Sequence, residues 1–288
     1  MLLGAPLLRL ASRGPGRWLA ACAWMISWCW LSPTPLGLLR SVVASSQAPR
    51  LRIVSLNCAG GDVRAVEEAM ATNAHVILLQ ESPSSDEVRR LLNRHPGWQA
   101  AVGIDASVLA RGSVRALPGI GRQPNFQAAG VRLPGYPQPL HVASLRLQPP
   151  TLRLDFWNRS AWRAYASDRS SRRSELRAIV ERLQAIKPGE WILGGDFNTP
   201  PDPCVDQALN GLQLQDAFPA AGRGWGGTAP ADFPLVRIDR ILCPKGWSVR
   251  ASWTIRSRFS DHRMVVADLR VVQAASGRDG PDGRSALP

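Results

Sequence analysis

The chain has 288 residues, of which 45% are hydrophobic, enough for one large α/β or β-sandwich domain or two small ones. Its 35 Lys and Arg residues against 22 Asp and Glu residues give a net charge of +13. This charge favours a polyanionic or phosphorylated partner or an anionic membrane surface, although an Arg-rich composition alone would produce it too. The five cysteines form no CxxC pair, so we exclude a disulfide framework and a zinc site.

Residues 1–50 differ in composition from the rest of the chain. Three arginines precede an apolar run over 18–31, and prolines interrupt its extension to residue 39. This pattern is typical of a secretory signal. An uncleaved anchor through residues 18–39 is the alternative, because that length could just span a bilayer, and a buried helix is a third interpretation. We therefore expect an exported or membrane-anchored protein, with a cytoplasmic location as the alternative.

The predicted globular domain covers residues 51–273 and opens with two strand–helix units. Asp62 is the expected N-cap of the first helix, over 62–73, and Ser84 with Glu87 forms a capping box for the second, over 84–94. Glycine and proline then punctuate short strand-like runs, as in antiparallel strands. The strands predicted in this half cover residues 51–56, 75–79, 98–102, 106–110, 127–133 and 140–147.

The second half of the domain contains a long amphipathic helix, predicted over residues 172–186. Before it, the segment 148–169 mixes arginines with aromatic residues. We interpret this segment as a packed excursion, with a substrate rim as the functional hypothesis. The later strands are predicted over 190–193, 235–242, 248–255 and 264–272, and the tail 274–288 is expected to be disordered.

The most informative stretch runs from Gly194 to Pro200. Its two glycines are expected to end the preceding strand and to leave Asp196 and Asn198 on the same side of the strand tip, because residues two apart in extended backbone share a face. A carboxylate beside a carboxamide suits a divalent cation or a phosphoryl oxygen better than a core. Similar polar residues stand at five strand ends: Asn57, Glu81, Asp196 with Asn198, Asp239, and Asp261 with His262.

If these strands converge, the polar groups form a hard-cation site with a base beside it. Mg²⁺ takes one or two carboxylates together with water and phosphate oxygens, and it stabilises the charge that develops on a leaving oxygen. An imidazole such as that of His262, oriented by a carboxylate, can take a proton from an attacking water. The pattern therefore indicates metal-assisted phosphoryl chemistry.

Five short motifs in this order resemble the endonuclease/exonuclease/phosphatase family. They are Leu-Asn-Cys at 56–58, Gln-Glu at 80–81, Gly-Asp-Phe-Asn at 195–198, Arg-Ile-Asp at 237–239 and Ser-Asp-His at 260–262. Each motif is weak alone, but the ordered series is specific. The resemblance covers roughly residues 51–272 and implies an α/β fold, a four-layered α/β sandwich in which two mixed sheets pack face to face with helices outside.

By matching position, the resemblance implies a metal site and a reaction centre. Glu81 would be the principal metal carboxylate, Asn57 would lie beside it, and Asp261 would be a second metal or phosphate-site carboxylate. Mg²⁺ is the implied cation, with Mn²⁺ as a substitute. In the reaction centre Asp196 would position or deprotonate the water, Asn198 would bind phosphate, and His262, held by Asp239, would contact or protonate the phosphoryl group. Whether Asp196 or His262 is the base stays open.

One residue departs from the family pattern. Where members often carry a histidine before the long helix, this chain has Arg146, which can hold a phosphate through two hydrogen bonds but cannot act as a general acid. We expect a monomeric Mg²⁺-dependent phosphodiesterase acting on nucleic acid. A phospholipid or small-molecule phosphodiesterase or phosphatase is the alternative. An inactive, membrane-tethered phosphate-binding module is the alternative of another class, supported by Arg146 alone.

Overall fold

Two six-stranded β-sheets pack face to face and carry helices on their outer faces, in the four-layered arrangement expected from the sequence. The computed structural model describes residues 51–117, 125–151, 153, 155, 157–186 and 190–270. The predicted leader and the predicted tail lie outside these residues. Among the described helices, none combines the length and the apolar character that a membrane crossing requires.

The first sheet has the strand order β11-β12-β1-β2-β4-β3 and the second has the order β5-β6-β7-β8-β10-β9. The strands are β1 (Leu51–Asn57), β2 (Val76–Gln80), β3 (Trp98–Val102), β4 (Ala106–Arg111), β5 (Ser113–Ala116), β6 (Phe126–Arg132), β7 (Leu140–Arg146), β8 (Trp191–Asp196), β9 (Leu214–Asp216), β10 (Asp239–Pro244), β11 (Ser248–Arg256) and β12 (Arg263–Arg270). The helices are α1 (Val63–Ala71), α2 (Ser85–Asn93), α3 (Arg159–Ile186), α4 (Pro203–Asp206) and α5 (Ala217–Ala221), with a 3₁₀ helix at Gln207–Leu212.

Each sheet is built around one parallel pair, β1 with β2 and β7 with β8, and all other pairings are antiparallel. A parallel pair needs a crossover connection, which α1 and α3 supply. Because β10 and β12 run antiparallel to β8 and β1, they begin at the edge where those strands end. The polar residues at these strand ends therefore meet at one edge of the sandwich.

Three apolar clusters fill the three spaces between the four layers. The first fills the space between the sheets and includes Ile53, Leu78 and Val142. The second packs α3 on the outer face of the second sheet, and the third packs α1 and α2 on the outer face of the first. Side chains alternate between the two faces of each strand, so each strand serves two of these clusters.

Several predicted boundaries are wrong. The long helix begins at Arg159, so the second half of the segment interpreted as a packed excursion is helical. The strand predicted from Leu235 begins at Asp239, because the preceding residues form a narrow loop closed by a bridge between Ala229 and Val236. The edge strands β5 and β9 and the short helices α4 and α5 were not predicted, since each is too short to show a hydrophobic period.

The two glycines before Asp196 lie within β8 and do not end it. A Cβ on Gly194 would lie 2.7 Å from Leu78 Cδ1 of the facing sheet, and a Cβ on Gly195 would collide with the carbonyl oxygen of Leu145. The glycines therefore allow the two sheets and the neighbouring strand to approach closely directly beneath Asp196.

Candidate active site

The space between the sheets changes from apolar to polar along the strands. On β1 the inward face reads Leu51, Ile53, Ser55 and Asn57, all of them buried. A layer of buried hydrogen bonds marks the transition: Ser55 Oγ donates to Gln80 Oε1 at 3.4 Å, Gln80 Nε2 donates to Ser144 Oγ at 2.9 Å, and Ser144 Oγ donates to the Leu79 carbonyl at 2.6 Å. This layer links both sheets and supports the charged residues beyond it.

Three charged residues form a row across the second sheet. Strand pairing places Arg146 opposite Asp196 and Asp196 opposite Asp239, at the ends of β7 and β8 and the start of β10. Asp196 and Asp239 are buried, and Arg146 is partly exposed. Two carboxylates directly opposite each other on neighbouring strands repel when both are charged, which is a destabilising arrangement unless a cation lies between them.

The first sheet contributes Asn57 and Glu81. Asn57 Nδ2 donates to Glu81 Oε1 at 3.1 Å and to Asp196 Oδ2 at 3.2 Å, so its amide bridges carboxylates of the two sheets. Glu81 Oε2 accepts the backbone N–H of Gly60 at 2.7 Å. Burial acts to raise the pKa of Glu81, but Asn57, Arg146 and Gly60 together hold it below its ordinary value. Glu81 is therefore an anion at neutral pH.

Asp196 and Asn198 lie together, as predicted. Asp196 Oδ1 accepts the Asn198 backbone N–H at 2.8 Å, and Oδ2 accepts Asn198 Nδ2 at 3.1 Å. Asn198 Nδ2 also donates to the Leu147 carbonyl at 2.8 Å, which ties the loop to the end of β7. Burial, and then the charge of Asp239, raise the pKa of Asp196 to about 7. A carboxylate of this kind can accept a proton near neutral pH.

Asp239 and His262 form a buried pair, with His262 Nδ1 2.9 Å from Asp239 Oδ2. Burial acts to lower the pKa of His262, but the charge and hydrogen bond of Asp239 outweigh it and raise the pKa to about 9. The imidazole is therefore protonated at neutral pH, and Nδ1 donates to Asp239. The second oxygen, Asp239 Oδ1, is buried and has no donor among the described residues.

Two hydroxyl residues that were not assigned roles hold this pair in place. The buried Thr228 Oγ1 accepts the backbone N–H groups of Ile238 and Asp239, at 3.0 and 3.1 Å, and so fixes the start of β10. Ser260 Oγ donates to the Asn57 carbonyl at 2.7 Å and accepts the His262 N–H at 3.0 Å. Ser260 was visible in the Ser-Asp-His motif, whereas no local pattern marked Thr228.

Backbone strain is concentrated at the same edge. Ala59, Glu81 and Asn198 have φ values of 46°, 45° and 50°, and the described residues contain only two other non-glycine residues with positive φ. This conformation is unfavourable for residues with a Cβ and persists where the surrounding structure enforces it. The Asn198 side chain contacts Asp196 and the Glu81 side chain contacts Asn57, so the strained residues belong to the cluster, which favours a functional role for the edge.

The remaining predicted residues lie close by but differ in their contacts. Asp261 is exposed, its carbonyl accepts the Ala231 N–H at 2.6 Å, and the cluster of converging ligand atoms contains Asp239 rather than Asp261. Its role as a metal ligand stays a prediction. Arg146 Nη2 lies 2.8 Å from Glu81 Oε1, and Nη1 lies 3.5 Å from Asp105 Oδ2, so the structure joins it to the predicted metal carboxylate.

The donor set suits a hard divalent cation. One ligand atom each from Asp196, Asp239 and His262 lies within 4.8 Å of the others, and Glu81 and Asn57 adjoin them; because His262 is protonated, the oxygen ligands are those that a cation would use. The buried Asp239 Oδ1 has no donor in the described part of the chain, and burial together with the charge of Asp239 raises the pKa of Asp196. A cation relieves both conditions. The residues therefore fit a divalent metal, and oxygen ligands predominate.

Comparison with solved structures places this architecture in one structural class. An endonuclease/exonuclease/phosphatase from Bacteroides vulgatus matches with a TM-score of 0.60 and 13% identity over 77% of this chain and 99% of that chain. A mannosyl-6-phosphatase from Bacteroides thetaiotaomicron matches at 0.56 and 14%, over 77% and 100%. D. rerio TDP2 with a single-stranded DNA product matches at 0.53 and 18%, over 77% and 99%. At these identities the likeness concerns the fold.

The family model for the endonuclease/exonuclease/phosphatase family matches residues 54–262, which include every strand that carries a site residue. The chain belongs to this family, whose members are hydrolases of phosphoester bonds and are generally dependent on divalent metals. No curated protein sequence matches the chain. The fold and family expected from the five motifs are thus confirmed.

Proposed function

We propose that the protein is a Mg²⁺-dependent phosphodiesterase that cleaves nucleic acid by attack of water. The observation that carries the proposal is the convergence of Asp196, Asp239 and His262 from three separate chain segments, with one carboxylate oxygen that no donor of the described residues reaches. A structural ion cluster would pair every oxygen, whereas a reaction centre needs an acceptor that remains available.

The two carboxylates and the histidine divide the proton chemistry. Asp196 accepts the proton of the attacking water; in the metal-free protein burial, and then the charge of Asp239, raise its pKa to about 7. His262 holds its proton on the ring, since Asp239 raises its pKa to about 9, and its second nitrogen Nε2 presents a positive donor to the phosphoryl oxygens. At the same pH, His262 therefore keeps its proton while Asp196 can accept one, and we favour Asp196 over His262 as the base.

Asn57 and Glu81, with Asp196 beside them, are the residues that would hold the cation. When bound, Mg²⁺ would stabilise the negative charge that develops on the phosphoryl oxygens. Asn198 is held beside the reaction centre by Asp196 and by the Leu147 carbonyl, which take both hydrogens of its Nδ2, so it binds phosphate by exchanging one of these two hydrogen bonds. Arg146 cannot release a proton at neutral pH, so it binds phosphate and does not protonate the leaving group.

The loops at the active edge favour a polynucleotide as the substrate. Trp157 is 86% exposed before α3, Trp162 is 54% exposed in the first turn of α3, and Phe233 is 70% exposed in the loop before β10. Exposed aromatic rings together with exposed arginines are the elements with which proteins bind single-stranded nucleic acid. Arg159 and Arg163 are exposed in the first turns of α3, whereas Arg153 is paired with Asp155. The similar TDP2 structure holds a single-stranded DNA product.

A small phosphomonoester or another small phosphoester is the second candidate. Arg146 favours it, because a guanidinium beside the reaction centre matches the extra charge of a terminal phosphate. A similar fold is found in the mannosyl-6-phosphatase. The two candidates differ in whether the aromatic side chains at the β7–α3 connection contribute to binding.

The purified full chain should be assayed with Mg²⁺ or Mn²⁺ on plasmid DNA, a single-stranded oligonucleotide, RNA, sphingomyelin and a phosphomonoester. We expect EDTA-sensitive cleavage of nucleic acid, which Asp196→Ala and His262→Ala reduce by roughly 10²–10⁴-fold. Asp86→Ala, an exposed change on α2, is the matched control and should keep full activity. Wild-type rates in either site variant would refute the site, and turnover of the phosphomonoester alone would select the second candidate.

A further inference from the structure

Glu81 Oε1 has two close nitrogen neighbours, and one of them belongs to a positively charged group. Asn57 Nδ2 donates a hydrogen bond at 3.1 Å, and Arg146 Nη2 forms an ion pair with the same oxygen at 2.8 Å. Glu81 Oε2 accepts the Gly60 N–H at 2.7 Å. A divalent cation that uses Oε1 has to enter beside Arg146, whose positive charge repels it.

Arg146 has a second acidic partner within reach. Its Nη1 lies 3.5 Å from Asp105 Oδ2, a longer separation than the 2.8 Å contact with Glu81. Asp105 precedes β4 and is half-buried, and burial raises its pKa, although Arg146 opposes the shift. The Nε of Arg146 is buried and has no acceptor among the described residues. The guanidinium thus has Asp105 as a second anion to move towards, and its Nε–H makes no hydrogen bond within the described residues.

We propose that Arg146 is a mobile counter-charge that competes with the divalent cation for Glu81 and, when displaced, moves towards Asp105 and binds the phosphate of the substrate. Arg146 would therefore lower the affinity for the cation in the absence of substrate. It would also couple the two ligands, because each of them favours the displaced arginine. The proposal rests on the metal-dependent function described above and assigns Asp105 a positioning role through Arg146.

The test measures binding of Mn²⁺ alone to the full chain by calorimetry, without turnover. Arg146→Gln should bind Mn²⁺ roughly tenfold more tightly than the wild type, because the ion pair with Glu81 no longer has to be broken and the positive charge that repels the cation is gone. Asp105→Asn should bind it more weakly, because Arg146 then has only Glu81 as a partner. Arg169→Gln, which removes one positive charge from the pair with Asp202 away from the site, is the control and should bind Mn²⁺ as the wild type does.

The double variant separates competition from a simple effect of charge. If Asp105 acts through Arg146, Asp105→Asn has no effect on Mn²⁺ affinity when Arg146→Gln is already present. If Asp105 acts through space on the cation, it weakens binding equally in both backgrounds, and that result would overturn the proposal. Inorganic phosphate gives a second readout: it should tighten Mn²⁺ binding in the wild type, and by less in Arg146→Gln.

The outcomes also separate this inference from the proposed function. Mn²⁺ binding that is unchanged or weakened in Arg146→Gln would overturn the role of Arg146 and leave the metal site intact. A wild-type chain and an Arg146→Gln variant that both bind no Mn²⁺ would overturn the inference together with metal-dependent hydrolysis.

Discussion

Strand β10 separates two buried ionic clusters that differ in the pairing of their carboxylates. On its inward face Asp239 belongs to the active-site cluster, with Oδ1 lacking a donor among the described residues. On its outer face Arg240 bonds Asp216 and Asp206, and Arg237 bonds Asp216 as well. We call this second group the rear cluster. Both arginine side chains are only 4% exposed, and their charges are matched by the two aspartates.

The difference indicates which cluster stabilises the fold and which serves the chemistry. In the rear cluster burial acts to raise the pKa of Asp216, but Arg237 and Arg240 hold it below its ordinary value. In the active-site cluster burial and a neighbouring carboxylate raise the pKa of Asp196. The charges of the rear cluster are therefore matched, so removing one partner would leave an uncompensated buried charge, whereas the active-site cluster holds two carboxylates in repulsion beside one histidine.

The largest effect on stability should come from Asp216→Asn. The change leaves Arg237 buried without a carboxylate partner and removes one of two from Arg240, which should lower the free energy of unfolding by about 3–5 kcal/mol. Urea denaturation measures this loss. A decrease below about 1 kcal/mol would mean that the rear cluster contributes little net stability.

The equivalent substitution of aspartate by asparagine in the active-site cluster should lower activity strongly and change stability little. Asp239→Asn should reduce kcat by roughly 10²–10⁴-fold, because His262 loses the anion that orients it and keeps it protonated. The free energy of unfolding should change by less than about 1 kcal/mol, since a desolvated charge with an unpaired oxygen is removed together with the ion pair. An Asp239→Asn variant as unstable as Asp216→Asn would contradict the division between the clusters.

The two clusters should respond to pH with opposite signs. The folded pKa values of Asp196, about 7, and His262, about 9, lie above the ordinary values of 3.8 and 6.5, so the stability that they contribute is lost as pH rises through the folded values. The pKa of Asp216 is lowered from 3.8, so its contribution is lost as pH falls below that value. In EDTA the free energy of unfolding should therefore decrease by roughly 4 kcal/mol between about pH 6 and 9.

Added Mn²⁺ should reduce this alkaline decrease, because a bound cation compensates the carboxylates. The measurement is a series of urea titrations with and without the metal. A free energy of unfolding that is constant over this range in EDTA would show that Asp196 and His262 are not perturbed as the geometry indicates.

The smallest effect should come from Thr228→Val, which removes the acceptor of two buried backbone N–H groups without changing the side-chain shape. We expect a loss of about 1 kcal/mol in stability and a fall in kcat with little change in KM, because Asp239 and its histidine shift together. Thr254→Val on β11, away from the site, is the control. Rising KM at constant kcat would place Thr228 in substrate binding instead.

The convergence of the site could be predicted because each of its residues follows or lies in an apolar run. Asn57 and Asp196 follow such runs, whereas Asp239 was predicted inside one and in fact begins β10, and alternating strand directions bring these ends together. The partners of Arg146 could not be predicted, since Glu81 and Asp105 reach it across the two sheets. The contact between Asp216 and Arg237 could not be predicted either, because no sequence pattern links the two segments that carry them.

The two ends of the described domain leave the sandwich together, on the side away from the site. Leu51 pairs with Leu269, whereas Asn57 lies at the other end of the same strand, about 20 Å away at ~3.3 Å per residue. A protein held closely to a surface through either end would therefore direct its reaction centre outward. It would act on molecules arriving from solution and not on those in the surface that holds it.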